Sequence, residues 1–240
     1  MTHLAERRQL LAYAGLLALV LMLATVGRFV NAALFEPLVG EVNPVVAAAG
    51  IGLLGATLLY FLLTRDGFLT VRPEVAPGLW RAAGLASLFG LLIIGVDSAM
   101  VHPADMNVPF PQSVLFYPVT GLMVEILFHL LPLAALLTVV PTIARRQRSE
   151  TTTQISLLLV ALLEPAFQTW AAVTERPIVG APSSYAAPTV AYDSLHIFAI
   201  NVCQLHMFRR YDFVSMYAFR LVYYAIWHVV WGHIRLGVLF

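Results

Sequence analysis

Residues 114–141 read VLFYPVTGLMVEILFHLLPLAALLTVVP. The run is longer than the roughly 20 apolar residues that cross a bilayer, and its only acidic or imidazole side chains are Glu125 and His129. In lipid such a run must pair its own backbone groups, which a helix does within one segment. Pro118 and Pro132 each remove a backbone donor and permit a kink. Outward from this stretch, windows of about 20 residues give about seven spans, over 10–29, 44–64, 79–97, 114–141, 154–174, 186–207 and 213–236. The expected fold is an all-α polytopic membrane bundle, a single transmembrane domain over residues 1–240.

Composition agrees, with 60% hydrophobic residues, 11% charged residues and a mean hydropathy of +0.83. All 14 basic residues are Arg, which excludes a retinal Schiff base, and a net charge of +1 offers no field for nucleic acid. The single Cys203 lies in an apolar span and reads as a packing residue, with no disulfide framework. Arg7 and Arg8 precede an apolar run that lacks a small-residue cleavage site, so the first span reads as an anchor rather than a signal peptide.

Arginine placement sets the expected orientation in a cell membrane. Arg7/Arg8, Arg65/Arg72, Arg145/Arg146/Arg148 and Arg209/Arg210 all fall on one side of the seven-span plan, and positive loops stay in the cytoplasm. The opposite side carries Arg28 and Arg176, with no basic residue between Asp97 and Gln112. The N-terminus is expected inside and the C-terminus outside. Two outer loops rich in Pro, Ala and Ser, Pro103–Pro111 and Pro177–Pro188, are either ordinary connectors or covers over a cavity mouth. Residues 1–112 read as scaffold helices and 113–240 as a polar core bundle.

Charge at bilayer depth is costly, so ionisable residues there face a bundle interior and pair, transport or react. Glu125 and His129 share a helix face and either satisfy each other or share a metal. Glu164 and Gln168 are again four apart, and Pro165 frees a carbonyl one turn upstream that needs a partner. Asp193 and His196 are three apart, the arrangement in which a carboxylate orients an imidazole. Asn201 and Gln204 follow in the same span, with His206 expected at the cytoplasmic interface. The last span sets Arg220, Tyr224 and His228 at intervals of four, with Gly232 as the next rung. Arg220 needs an acid, which Asp193, Glu125 or Glu164 can supply, and reads as a clamp rather than a reacting group.

Glu164, His196 and His228 fall on successive spans at equal separations. In LLEPAFQ, YDSLH and AIWHVVWG, the chain resembles the CAAX-protease and bacteriocin-processing family of intramembrane proteases, whose motifs are EExxxR, FxxxH and HxxxN on consecutive helices. The resemblance implies that Glu164 activates water with His196 and His228 as its partners, and that the substrate is a peptide or a prenylated or lipidated protein. Four positions depart from those motifs: Pro165 stands for the second glutamate, Gln168 for the arginine, Tyr192 for the aromatic and Gly232 for the asparagine that steadies the oxyanion.

Amide hydrolysis needs a base, a water and an oxyanion donor. The donor is open to Gln168, Asn201 or Arg220, while His196 and His228 either bind the water or hold one divalent transition metal, zinc first among them. Asp193 is expected behind His196, with Tyr224 as a further supporting residue. Two other readings stand beside the protease. One is a non-catalytic membrane protein, binding or chaperone-like, on the same fold; the other is a membrane metallohydrolase of a lipid amide drawing on Glu125 and His129. A proton or ion pathway ranks below these, because no inverted repeat relates the two halves.

Overall fold

The computed structural model describes residues 2–64, 76–144, 149–173 and 187–240. In chain order its helices are α1 (Thr2–Val30), a short α2 (Glu36–Val39), α3 (Pro44–Thr64), α4 (Ala76–Met100), α5 (Gln112–Val124) and α6 (Leu131–Ala144). They continue with α7 (Glu150–Ala161), α8 (Leu163–Val173), α9 (Ala187–Arg210), α10 (Phe213–Tyr224) and α11 (Gly232–Val238). A π-helical turn, Glu125–Leu130, joins α5 to α6 into one rod, and a second, Ala225–Trp231, joins α10 to α11. No strand occurs among the described residues.

Among the described residues, five rods are long and apolar enough to cross a membrane: Glu6–Val30, Pro44–Thr64, Pro77–Met100, Gln112–Val139 and Phe213–Val238. Their outward faces carry exposed Phe29, Leu53 and Leu91, the surface of a membrane-embedded protein rather than of one in water. The two other expected spans differ for identifiable reasons. Span 154–174 is α7 and α8, separated at Leu162, because Pro165 has no N–H to return to the Ala161 carbonyl. Asn201 Nδ2 donates to that carbonyl at 3.2 Å, so the group freed by the proline finds its partner on α9. Span 186–207 is one continuous helix, α9, whose polar load from Asp193 to His206 keeps it from the same apolar standard.

Cross-helix contacts sort the helix termini into two ends. At the first end Asn31 reaches Gln112, His102 reaches Asp193 and Arg235 reaches Asp97. At the second end Tyr13 packs on Phe213 with centroids 5.1 Å apart, Arg209 forms a double hydrogen bond to Glu150, and Arg81 meets Tyr211. The start of α1 and the end of α11 therefore lie at opposite ends. Arg65, Arg72, Arg145, Arg146, Arg148, Arg176 and most of the Pro177–Pro188 loop lie outside the described residues.

The main core joins α1, α3, α5, α6, α9 and α10 around Leu59, Phe116, Leu122, Ile126, Phe208 and Met216. Close approach of α1 and α3 depends on Gly52 and Gly55, where a Cβ would run into Leu17 and Tyr13, and Tyr13 Oη donates to the Gly52 carbonyl at 2.7 Å. A smaller core packs α4 against α9 and α10 through Ala82, Ala86, Ile93 and Phe219. The polar groups lie between these two cores.

Candidate functional site

Arg220 is the hub. All five of its N–H groups are used: Nε on Glu125 at 2.5 Å, Nη1 on Glu164 at 3.1 Å and Tyr224 at 3.1 Å, Nη2 on Glu164 at 2.9 Å and Gln204 at 3.2 Å. Its acids are Glu125 and Glu164; Asp193 is not among them. Glu125 is fully buried and also accepts from Gln204 and from His129 Nδ1, the latter at 2.5 Å. Glu125 and His129 thus form the underside of the network and line no part of the cavity above it. The π turn that holds both, like the one that holds His228, is a departure from regular helix of the kind that often accompanies functional positions.

Above Arg220 lies a cavity of about 120 Å³ between α4, α5, α8, α9 and α10. Glu164, His196 and His228 all stand on its wall, together with Arg220, Tyr223 and Tyr224. Tyr223 sits between the two histidines, its ring centroid 5.8 Å from His196 and 6.3 Å from His228. Gln168 and Asn201 also border the cavity, but Gln168 donates to Glu164 at 3.3 Å and the Asn201 amide is taken by Ala161. With Arg220 saturated as well, none of the three expected oxyanion donors has an N–H to spare in these hydrogen bonds except the second proton of each amide.

The two imidazoles are held differently. His228 stacks on Tyr117 at 4.4 Å, and its Nδ1 lies 2.5 Å from Asn107 Oδ1. The acceptor fixes the proton on Nδ1 and leaves Nε2 a lone pair. His196 Nδ1 lies 3.2 Å from the Tyr192 hydroxyl, and its buried Nε2 has no hydrogen-bond partner. Asp193, expected behind His196, meets His102 Nε2 at 3.2 Å, an imidazole brought to it by the loop after α4.

This loop belongs to the stretch expected as scaffold, yet it reaches the cavity. Residues 101–111 fold back onto the bundle: Met106 lines the cavity, Asn107 holds His228, and the Val108 amide donates to the Tyr117 hydroxyl at 3.0 Å. Gly232, at the position of the family asparagine, leaves room for Asn107, since a Cβ there would come within 3.0 Å of its amide nitrogen. The loop is anchored by a second buried network. Asp97 Oδ1 accepts from the His102 amide at 2.8 Å, His102 Nδ1 at 2.9 Å and Arg235 Nη2 at 2.9 Å. Its Oδ2 accepts from Trp231 at 2.7 Å and Arg235 Nε at 2.8 Å. Val101, β-branched, is held at φ +38° between these contacts, a strained backbone paid for by the network around it.

Sequence reasoning missed Asp97, His102, Asn107 and Arg235, all near span ends, where polar residues ordinarily meet water. Among the described residues no group of three or more His, Cys, Asp or Glu side chains is placed to hold a metal ion. No protein-family model, no curated protein and no solved structure matches the chain.

Proposed function

We propose that this protein is an intramembrane endopeptidase of the CAAX-protease type, spanning a cell membrane seven times with the arginine-rich end of the bundle in the cytoplasm. The observation that carries this reading is the shared wall: Glu164, His196 and His228, from three separate helices, border one cavity.

The chemistry follows from how each group is held. Water is oriented by the Nε2 lone pair of His228 and gives its proton to Glu164 as its oxygen adds to the scissile carbonyl. The oxyanion accepts from His196 Nε2–H, the tautomer in which Nδ1 accepts from the Tyr192 hydroxyl. The C–N bond then breaks, and Glu164 returns the proton to the leaving amine, giving a carboxylic acid and an amine. The steps above run through side chains alone.

A fluorogenic peptide library cleaved by the detergent-purified protein tests the proposal. Glu164→Gln, His196→Ala and His228→Ala should each lower kcat/KM by about 10²–10⁴-fold, the usual range for losing an acid–base group. His129→Ala should leave turnover per folded molecule unchanged, and a chelator should have no effect. Loss of activity with His129→Ala or with the chelator would shift the reading to the metallohydrolase. No cleavage by the wild type would favour the non-catalytic reading, which the saturated ion pair between Arg220 and Glu164 also supports.

Asn107 tests the role of His228 separately. Asn107→Asp keeps the acceptor on Nδ1 and should retain activity, whereas Asn107→Leu should lower kcat by about tenfold or more with little change in KM, within the range known for partners of site histidines.

A further inference from the structure

We infer that the substrate is a peptide segment of an exported protein, entering the cavity from the non-cytoplasmic side of the membrane. The inference rests on the proposed hydrolase and deepens it. Burial around the cavity is lopsided. Toward the Arg209–Glu150 end the floor is closed: Glu125, His129 and Gln204 are 0% exposed, and Phe208 and Met216 seal the layer beneath. Among the described residues that layer leaves no path for a polypeptide. Toward the other end the wall residues are partly exposed: Gln168 and Thr169 on α8, Val190, Asp193 and Ser194 on α9.

The mouth therefore lies between α8 and α9, near the ends that hold Val173 and Ala187. From it the reacting groups are a short distance down: Glu164 and His196 each lie about 14 Å along their helices from those ends, at about 1.5 Å per residue. The mouth is built of uncharged hydrogen-bonding groups apart from Asp193, which His102 already engages. Thr169 and Ser194 bond to each other across it at 2.6 Å, and an extended peptide can take over those hydroxyls with its own backbone amides. Ile93, Ile197 and Ile200 offer an apolar seat for one side chain.

Size argues the same way. A cavity of about 120 Å³ is well short of the ~300–1,000 Å³ that encloses a drug-sized ligand, a size that suits an amide and one side chain. Because the described arginine pairs, Arg7/Arg8 and Arg209/Arg210, flank the closed end, the open end faces away from the cytoplasm, where a prenylated cytoplasmic tail never arrives.

Single cysteines in a Cys203→Ser background test the side of entry without any need for activity. Ser194→Cys and Gln168→Cys, on opposite lips of the mouth, are treated in intact cells with a membrane-impermeant maleimide; His206→Cys, exposed near the closed end, is the control. Ser194→Cys and Gln168→Cys should label equally with or without permeabilisation, and His206→Cys only with it. Labelling of the two mouth positions only after permeabilisation, or under neither condition, overturns the inference. A correct labelling pattern with no peptide cleavage by the purified protein would instead remove the hydrolase reading on which it rests.

Discussion

Arg220→Leu is expected to prevent recovery of folded protein from the membrane. The substitution removes the guanidinium that Glu125 and Glu164 share, leaving Glu125 with His129 and Gln204 and Glu164 with Gln168. Breaking a single buried pair in this way costs on the order of 3–5 kcal/mol, and here two acids lose their cation by one change. Folded domains hold only about 5–15 kcal/mol in total, so the effect is comparable with the whole stability. The measurement is the monodisperse fraction on size exclusion after detergent extraction, with a melting temperature for whatever survives.

Arg220→Lys should fail almost as badly. An ammonium is a compact donor, while the guanidinium spreads five N–H groups over Glu125, Glu164, Gln204 and Tyr224 at once. The combination of Arg220→Leu with Glu125→Gln and Glu164→Gln should recover most of the folded fraction, because neutralising the acids removes the charge left without its cation. A folded, wild-type-like Arg220→Leu single variant would show that the network contributes little to stability.

Those acids were legible in the sequence because a charge inside an apolar run is conspicuous whatever surrounds it. The rule that a membrane arginine needs an acid selected Glu125 and Glu164 among its candidates, and the freed carbonyl before Pro165 announced a partner that proved to be Asn201. Pairings across helices were not legible, since spacing along one helix says nothing about what a neighbouring loop delivers. Asp193 was assigned to His196 by its i,i+3 position, yet His102 takes it from a loop far away in sequence. The π turns escaped for a different reason: Glu125–Leu130 and Ala225–Trp231 carry no residue pattern that separates an i→i+5 turn from ordinary helix. At α9 the residues from Asp193 to His206 that give the helix its polar load also lower its hydropathy.

Asp97→Asn should be the second most damaging substitution, and its effect should depend on pH through His102. Asp97 accepts five hydrogen bonds, from the His102 amide and ring, from Trp231 and twice from Arg235. An asparagine keeps the shape but turns an NH₂ toward the Arg235 guanidinium, which is 0% exposed and would be left without its only carboxylate in these contacts. The expected loss is again about 3–5 kcal/mol, read as a fall in melting temperature in detergent. Burial works against a charge on His102, but the hydrogen bonds and fields of Asp193 and Asp97 outweigh it and raise the imidazole from its ordinary 6.5 to about 9. A group raised on folding stabilises the protein fully below its unfolded value, so this contribution is complete below about pH 6.5 and is lost as the pH rises through about 9. Wild-type melting temperature should therefore decline between pH 7 and pH 10, and His102→Gln should start lower at pH 6 and show a flatter profile. The same decline in both proteins would mean that another group governs alkaline stability. Because the loop anchored by His102 also presents Asn107 to His228, the decline in the wild type should be accompanied by falling activity in the same pH window, whereas Asn107→Leu should lose activity with its melting profile nearly intact.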